Sequence, residues 1–393
     1  MADNKRQHFV PRYILKKFSS DENAKRINLL HIPTERIVRG ASLREQCYKD
    51  YFYGNDTSLE KEISKIEGAH SQIVDDLIAD KENSSIGFAD LPLFLAMQSA
   101  RTQLAEKDQN DMANELYQRY FSGLGTEDFS SRFKFEYENG AVFSLALSMH
   151  IFPALYDLKQ ILLENVSGDP FVISDNPVVK TNWFCRVNYP NNAGLGYSNS
   201  GLQLFMPISP KFGVFLFDDS VYKIKSESFV FPVSKKSDVF KFNELQYMNA
   251  DKCLYFGGDV DEDVIFRLGQ GGKRRATRFR QIVASQKDGN FAPYDAADMT
   301  ASGGESELII QEGVPLAADI RFSGFGMKLL KKYFDDGSLA APLRDQVWDG
   351  IVQEFSWKIF HEGAAPEEFL QFVERHPLKS HLGQKIKKRI FQN

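Results

Sequence analysis

The sequence predicts an α+β fold, with an N-terminal helical layer packed on a mostly antiparallel sheet and a mixed, largely helical C-terminal region. Three observations predict it. Apolar residues recur at helical spacing from Thr57 to about Asn165. From about Pro170 they gather into short runs split by Asp, Asn, Pro and Gly. Beyond Gly257 a basic stretch and a Gly/Ser-rich loop precede further helical patterns. The shift near Gly257 divides the chain into residues 1–257 and a C-terminal extension, 258–393.

The first element follows from Pro11. In KRQHFVPRYILKKF, Val10 precedes a proline and is pushed toward extended geometry, while Pro11 suits a first helical turn. Tyr13, Ile14, Leu15 and Phe18 then give the helix an apolar face. RINLLHIPTERIVRG reads as a hairpin around PTE. Leu59, Ile63, Ile66, Ile73 and Leu77 form one stripe of a helix that Thr57 or Ser58 can cap. Further helices are predicted over ADLPLFLAMQSARTQLAEK and NDMANELYQRYFSGL, and over 141–165 with a kink at Pro153. PFVISDNPVVKT, LQLFMPISP, KFGVFLFDD, VYKIKS and SFVFPVS read as strands. DVFKFNELQYMNADKCLYF returns to a helix, as do GFGMKLLKKYF, RDQVWDGIVQEFSWKIF and IKKRIF near the end.

Bulk properties narrow the function. A net charge of −5 argues against coating nucleic acid by overall electrostatics, and leaves room for a local basic groove. Cys47, Cys185 and Cys253 are far apart and lack C-x-x-C spacing, which fits a reducing compartment and excludes a zinc ribbon. From the polar start MADNKRQH no signal peptide is expected, and the longest apolar run holds His150 and Pro153 and is too short to span a bilayer. A cytoplasmic protein, monomer or small homo-oligomer, with no membrane partner is expected.

Four candidate constellations carry chemistry. His8 stands just before a helix N-terminus that favours anions, so a neutral imidazole there suits a general base, with Gln7 orienting a substrate or water and Arg12 holding a phosphate. The competing role for Gln7 and His8 is to pin the N-terminus through backbone hydrogen bonds. Glu60, Glu67 and His70 sit at spacings of seven and three on one helix, and Glu-x-x-His is a ligand spacing of carboxylate-bridged metal sites. A divalent metal is thus one expectation. The other is Glu60 or Glu67 held by Arg101, since the next helix offers Gln98 and Arg101 rather than matching ligands.

Asp175 and Asn176 end a buried-looking strand, where Asp175 fits a carboxylate base or metal ligand and, ahead of these for the motif alone, an Asx-turn that satisfies loop backbone. A Ser174–His8–Asp175 triad is rejected, because adjacent Ser and Asp point to opposite strand faces and no G-x-S-x-G elbow is present. Lys273, Arg274 and Arg275 follow Gly269, Gly271 and Gly272 in a basic segment predicted to lead into a helix. It suits an RNA or DNA backbone, or else pairs with the acidic DVDEDV upstream.

QHFVPRYILKKF, FYG with LEKEISKIE, FLAMQSARTQ, and FVISDNPV with PISPKFGVFLF, in that order, resemble the prokaryotic family called domain of unknown function 4238. Its members open with Gln-His-x-Val-Pro and carry a Ser-Asp-Asn-Pro strand-turn, matched here by residues 7–11 and 174–177. The resemblance covers about the first two thirds of the chain and implies no established chemistry. Such families occur among mobile and defence-associated genes, which implies a toxin or antiviral effector. Two functions are carried forward. One is a phosphoesterase of nuclease type acting on nucleic acid, with Gln98, Arg101 and Asn176 expected to join Arg12 in binding substrate or phosphate. The other is a sensor that binds a ligand or protein partner, docking partners through its C-terminal helices.

Overall fold

In the computed structural model the described residues are 5–55, 58–79, 91–123, 133–134, 136–189, 194–226, 228–258, 260–271, 279–285, 291–293, 307–313, 319–328, 341–384 and 386–387. They form an α+β protein, as the residue patterns predict. No helix among them is long and apolar enough to cross a membrane.

The chain opens with strand β1 (Arg6–His8) and helix α1 (Arg12–Lys17), whose basic last turn and buried Ile14 and Leu15 anchor it. The predicted hairpin is β2 (Arg26–His31) with β3 (Arg36–Ser42), joined by a short 3-10 turn. Strand β4 (Tyr48–Asp50) folds back on β1, pairing Arg6 with Asp50 and His8 with Tyr48. Cys47 and Tyr51, on either side of β4, hold positive φ of 52° and 54°, a region non-glycine residues seldom adopt.

Helix α2 (Ser58–Ala79) buries Ile63, His70, Val74 and Leu77, with Leu59, Ile66 and Ile73 partly buried beside them. Helix α3 (Leu91–Ala100) is buried almost throughout, and α4 (Gln103–Gly123) follows at once. The expected single helix through Arg101 is therefore two. Thr102 Oγ1 accepts the Ala105 N–H and starts α4 afresh.

The long helix expected over 141–165 also divides. Helix α5 (Gly140–Ile151) gives way to a 3-10 segment, Phe152–Asp157, with Pro153 near its start. Lys159–Asn165 is instead strand β5. Its pairing with two neighbours overrides any local helical preference. Strand β6 (Ile173–Ser174), β7 (Val179–Thr181), helix α6 (Trp183–Asn188), β8 (Gln203–Pro207), β9 (Phe212–Phe217), β10 (Tyr222–Ile224) and β11 (Val230–Val233) follow. The main sheet runs β11-β5-β9-β8-β7, antiparallel except for the β11–β5 pair.

Helix α7 (Lys236–Asn249) ends earlier than its pattern suggests, and Cys253–Phe256 becomes β12. That strand sits between β2 and β6, so the N-terminal hairpin joins a second sheet of order β3-β2-β12-β6. Helix α8 (Glu262–Gly271) precedes β13 (Phe279–Ser285), which pairs with β14 (Phe291–Pro293) and β15 (Glu307–Gly313). The element after the basic segment is thus a strand, not a helix. Phe325–Met327, also expected as helix, is β16 and pairs with β10. The predicted helix over 344–360 is α9 (Gln346–Glu362), capped by Asp345 and closed by Gly363 at φ 70°, and α10 (Phe369–Arg375) follows.

Trp348, Ile351 and Phe355 of α9 and Phe369 of α10 share one apolar cluster with Leu145, Leu155 and Leu95. Arg344 also ties the C-terminal segment to the body, reaching both Asp157 carboxylate oxygens at 2.7–3.0 Å and the carbonyls of Asn199 and Ala154.

Candidate functional site

Strand β1, helix α1 and helix α2 enclose a cleft of about 640 Å³ lined by His8, Arg12, Tyr13, Arg44, Glu60 and Glu67, among others. Pairing with β4 fixes β1, and Gln7 fastens the back of the strand. Its buried Oε1 accepts the Tyr53 N–H at 2.5 Å, while Gln98 on α3 donates to the Phe9 carbonyl at 3.0 Å. His8, one residue along, is thereby turned to the cleft side of the ribbon.

His8 Nε2 lies 3.3 Å from the Arg44 carbonyl, so the ring donates there and Nδ1 is left as its basic atom. Burial lowers the imidazole below its ordinary value, against the raising effect of the Arg44 carbonyl; nearby Arg12 lowers it further. The ring is neutral at pH 7. Neither Arg12 nor Arg44 has an ion-paired or hydrogen-bonded side-chain partner among the described residues, whereas Arg6 pairs with Glu45 and Lys5 with Asp50.

The opposite wall is acidic. Glu60 and Glu67 lie seven residues apart on α2, two turns along one face. Burial, and then the charge of Glu67, pushes the Glu60 carboxyl up to about 7. Glu67 accepts from Arg101, a guanidinium 2% exposed that enters from just beyond α3. Burial alone would lower Arg101, yet Glu67 beside it holds it above its ordinary value. Tyr13 and Tyr53 complete this buried group, and burial raises both hydroxyls. Glu60 Oε2, Tyr13 Oη and Arg101 Nε are buried without hydrogen-bond partners among the described residues.

The structure thus brings His8, Arg12, Glu60 and Glu67 to one cleft, with Arg101 behind them. It does not bring the rest there. Gln7 and Gln98 hold backbone. His70 packs edge-on against Phe94 at 5.0 Å, where burial and then Arg101 push it down to about 4. The expected Glu60–Glu67–His70 metal set is therefore corrected: among the described residues no three His, Cys, Asp or Glu side chains gather to hold a metal ion.

Asp175 does not line the cleft either. Its carboxylate accepts the N–H groups of Asp251, Lys252 and Cys253 at 2.8–2.9 Å and shapes the turn into β12. Burial pushes it up to about 6 despite those three donors. Asn176 bonds to Thr102 and to the Asn249 carbonyl. Of the expected strand-end roles, the one these contacts fill is backbone satisfaction. Lys273, Arg274 and Arg275 lie outside the described residues. Arg267, upstream of them on α8, stands over the Phe240 ring.

Sequence reasoning missed Arg44 and the partner role of Tyr53, which reach the site only through the β1–β4 pairing. The site and fold define an α+β protein with an arginine-lined cleft that also holds a histidine and a carboxyl raised to about 7. The chain belongs to the family described as Protein of unknown function (DUF4238), whose model matches residues 6–259. No curated protein and no solved structure matches it.

Proposed function

We propose that this cleft is a phosphoesterase site of nuclease type, acting on RNA or DNA. The observation that carries the reading is the neutral His8 beside two arginines that are unpaired among the described residues, in one cleft with a carboxyl that burial raises to about 7. In this reading His8 Nδ1 takes a proton from the attacking hydroxyl or water as its oxygen bonds to phosphorus. The P–O bond to the leaving group breaks, and Glu60 gives that oxygen its proton. Arg12 and Arg44 neutralise the phosphate, and Arg101 fixes Glu67. The basic stretch at Lys273, Arg274 and Arg275 guides the backbone.

Purified protein incubated with single-stranded and duplex RNA and DNA is expected to cleave at least one of them. His8→Ala is expected to slow that cleavage by about 10²–10⁴-fold, the usual weight of general base catalysis. Expression in a host extends the test: as an effector the wild type is expected to arrest growth with nucleic-acid damage, and His8→Ala is not. Intact substrates with the wild type would overturn the catalytic reading.

The pH dependence has a definite sign. His8 acts only when deprotonated, so activity rises as pH climbs through its lowered value. Glu60 acts only while protonated, so activity falls as pH passes about 7. The expected profile is a bell on the acid side of neutrality, and Glu60→Gln is expected to lower its height and remove its alkaline limb. An alkaline limb that survives Glu60→Gln rules Glu60 out as the acid.

One observation favours the sensor reading instead. Helix α9 leaves Trp357 and Phe360 54% and 60% exposed, which suits a protein partner on the C-terminal helices. That reading predicts ligand binding at the cleft with no cleavage.

A further inference from the structure

A second cavity of about 250 Å³ lies between α3, α4, α5 and β7, the strand that follows the Ser-Asp-Asn-Pro turn. Its walls hold a lysine that makes no ion pair among the described residues, and polar groups that lack a partner among them. Lys180 on β7 extends over the Tyr197 ring, 5.3 Å from its centroid, and makes no ion pair among the described residues. Ser144 on α5 is 5% exposed, and its hydroxyl makes no hydrogen bond among them. Gln109 Oε1 on α4 is buried without a donor. Asn249 gives its Nδ2 hydrogens to the Asn176 and Val178 carbonyls and leaves Oδ1 without a donor. Asp108 adds an acidic residue to the α4 wall.

These groups sort by chemistry. Among the lining groups, an ammonium and a hydroxyl suit an anion. Two amide oxygens suit a cation or several N–H donors. Leu147, Ile151 and Val178 add apolar surface to the same cavity. The space is below the roughly 300–1,000 Å³ that drug-sized ligands occupy, so the occupant is small. The buried Gln109 Oε1 is costly there unless a ligand satisfies it.

We propose that this cavity binds a free α-amino acid with an apolar side chain. Its carboxylate meets Lys180 and Ser144, and its ammonium meets the amide oxygens of Asn249 and Gln109. The apolar side chain lies against Leu147, Ile151 and Val178. The assignment is independent of the chemistry proposed for the cleft.

Calorimetric titration of the full chain with each of the twenty amino acids tests it, with adenosine monophosphate and inorganic phosphate titrated alongside. At least one apolar amino acid is expected to bind saturably. Lys180→Met is expected to weaken that binding tenfold or more, Lys180→Arg to keep most of it, and His8→Ala to leave it unchanged. Ser144→Val provides a second loss-of-binding variant if Lys180→Met fails to fold. Binding that survives both Lys180→Met and Ser144→Val, or that vanishes in His8→Ala, overturns the assignment. So does a titration in which no apolar amino acid binds, or in which only the nucleotide or phosphate does.

Discussion

Arg101→Ala is expected to cost the fold about 3 kcal/mol, read as a drop in the urea-unfolding free energy. The side chain is 2% exposed, and its loss removes the cation that Glu67 faces while opening a cavity beside Tyr13 and Tyr53. Two facts hold the figure at the lower end of the range for broken buried pairs. Glu67 is 26% exposed, so water relieves part of its charge, and the orphaned Arg101 Nε already costs the native state something. Glu67→Gln is expected to cost less, about 1–2 kcal/mol, because an amide oxygen still accepts from the guanidinium. A loss below about 1 kcal/mol for Arg101→Ala would falsify its role as the anchor of the acidic wall.

Asp175→Ala is expected to destabilise by about 3 kcal/mol, through backbone rather than charge. Three N–H groups, of Asp251, Lys252 and Cys253, lose the carboxylate that accepts from them, in a region closed to solvent on the Asp175 side. Asp175→Asn keeps one oxygen and is expected to recover roughly half of the loss. The pair of variants also bears on catalysis. Equal cleavage by folded Asp175→Asn and wild type fits a structural carboxylate, whereas a 10²-fold drop at unchanged stability would bring Asp175 back as a reacting group.

Much of the cleft was legible because its residues are local in the chain. Pro11 announced helix α1 and so placed His8 and Arg12 together, and a spacing of seven placed Glu60 and Glu67 on one face. The same arithmetic misled at His70. Three residues beyond Glu67 fall about 60° short of a full turn, enough to carry the ring from the cleft to Phe94 in the core. Asp175 misled for another reason: its donors lie 76 to 78 residues downstream, and a polar strand end looks the same whether it serves solvent, substrate or distant backbone. Arg44 carried no signal, since only the return of β4 onto β1 brings it to His8. In the fold, the strand pattern after Pro170 was readable, but β5 and β12 were not. Each is a short apolar run whose state is decided by its neighbours across a sheet.

The junction of α3 and α4 deserves a last look for what it forbids. Within five residues Gln98 bonds to Phe9, Ser99 to Tyr197, Arg101 to Glu67 and Thr102 to Asn176. Each contact leaves in a different direction, so the stretch keeps its meaning only at one length. Inserting or deleting a single residue there turns the remainder by about 100° and strips several of those partners together. In a family compared by length, gaps should gather almost anywhere before they appear between residues 98 and 102.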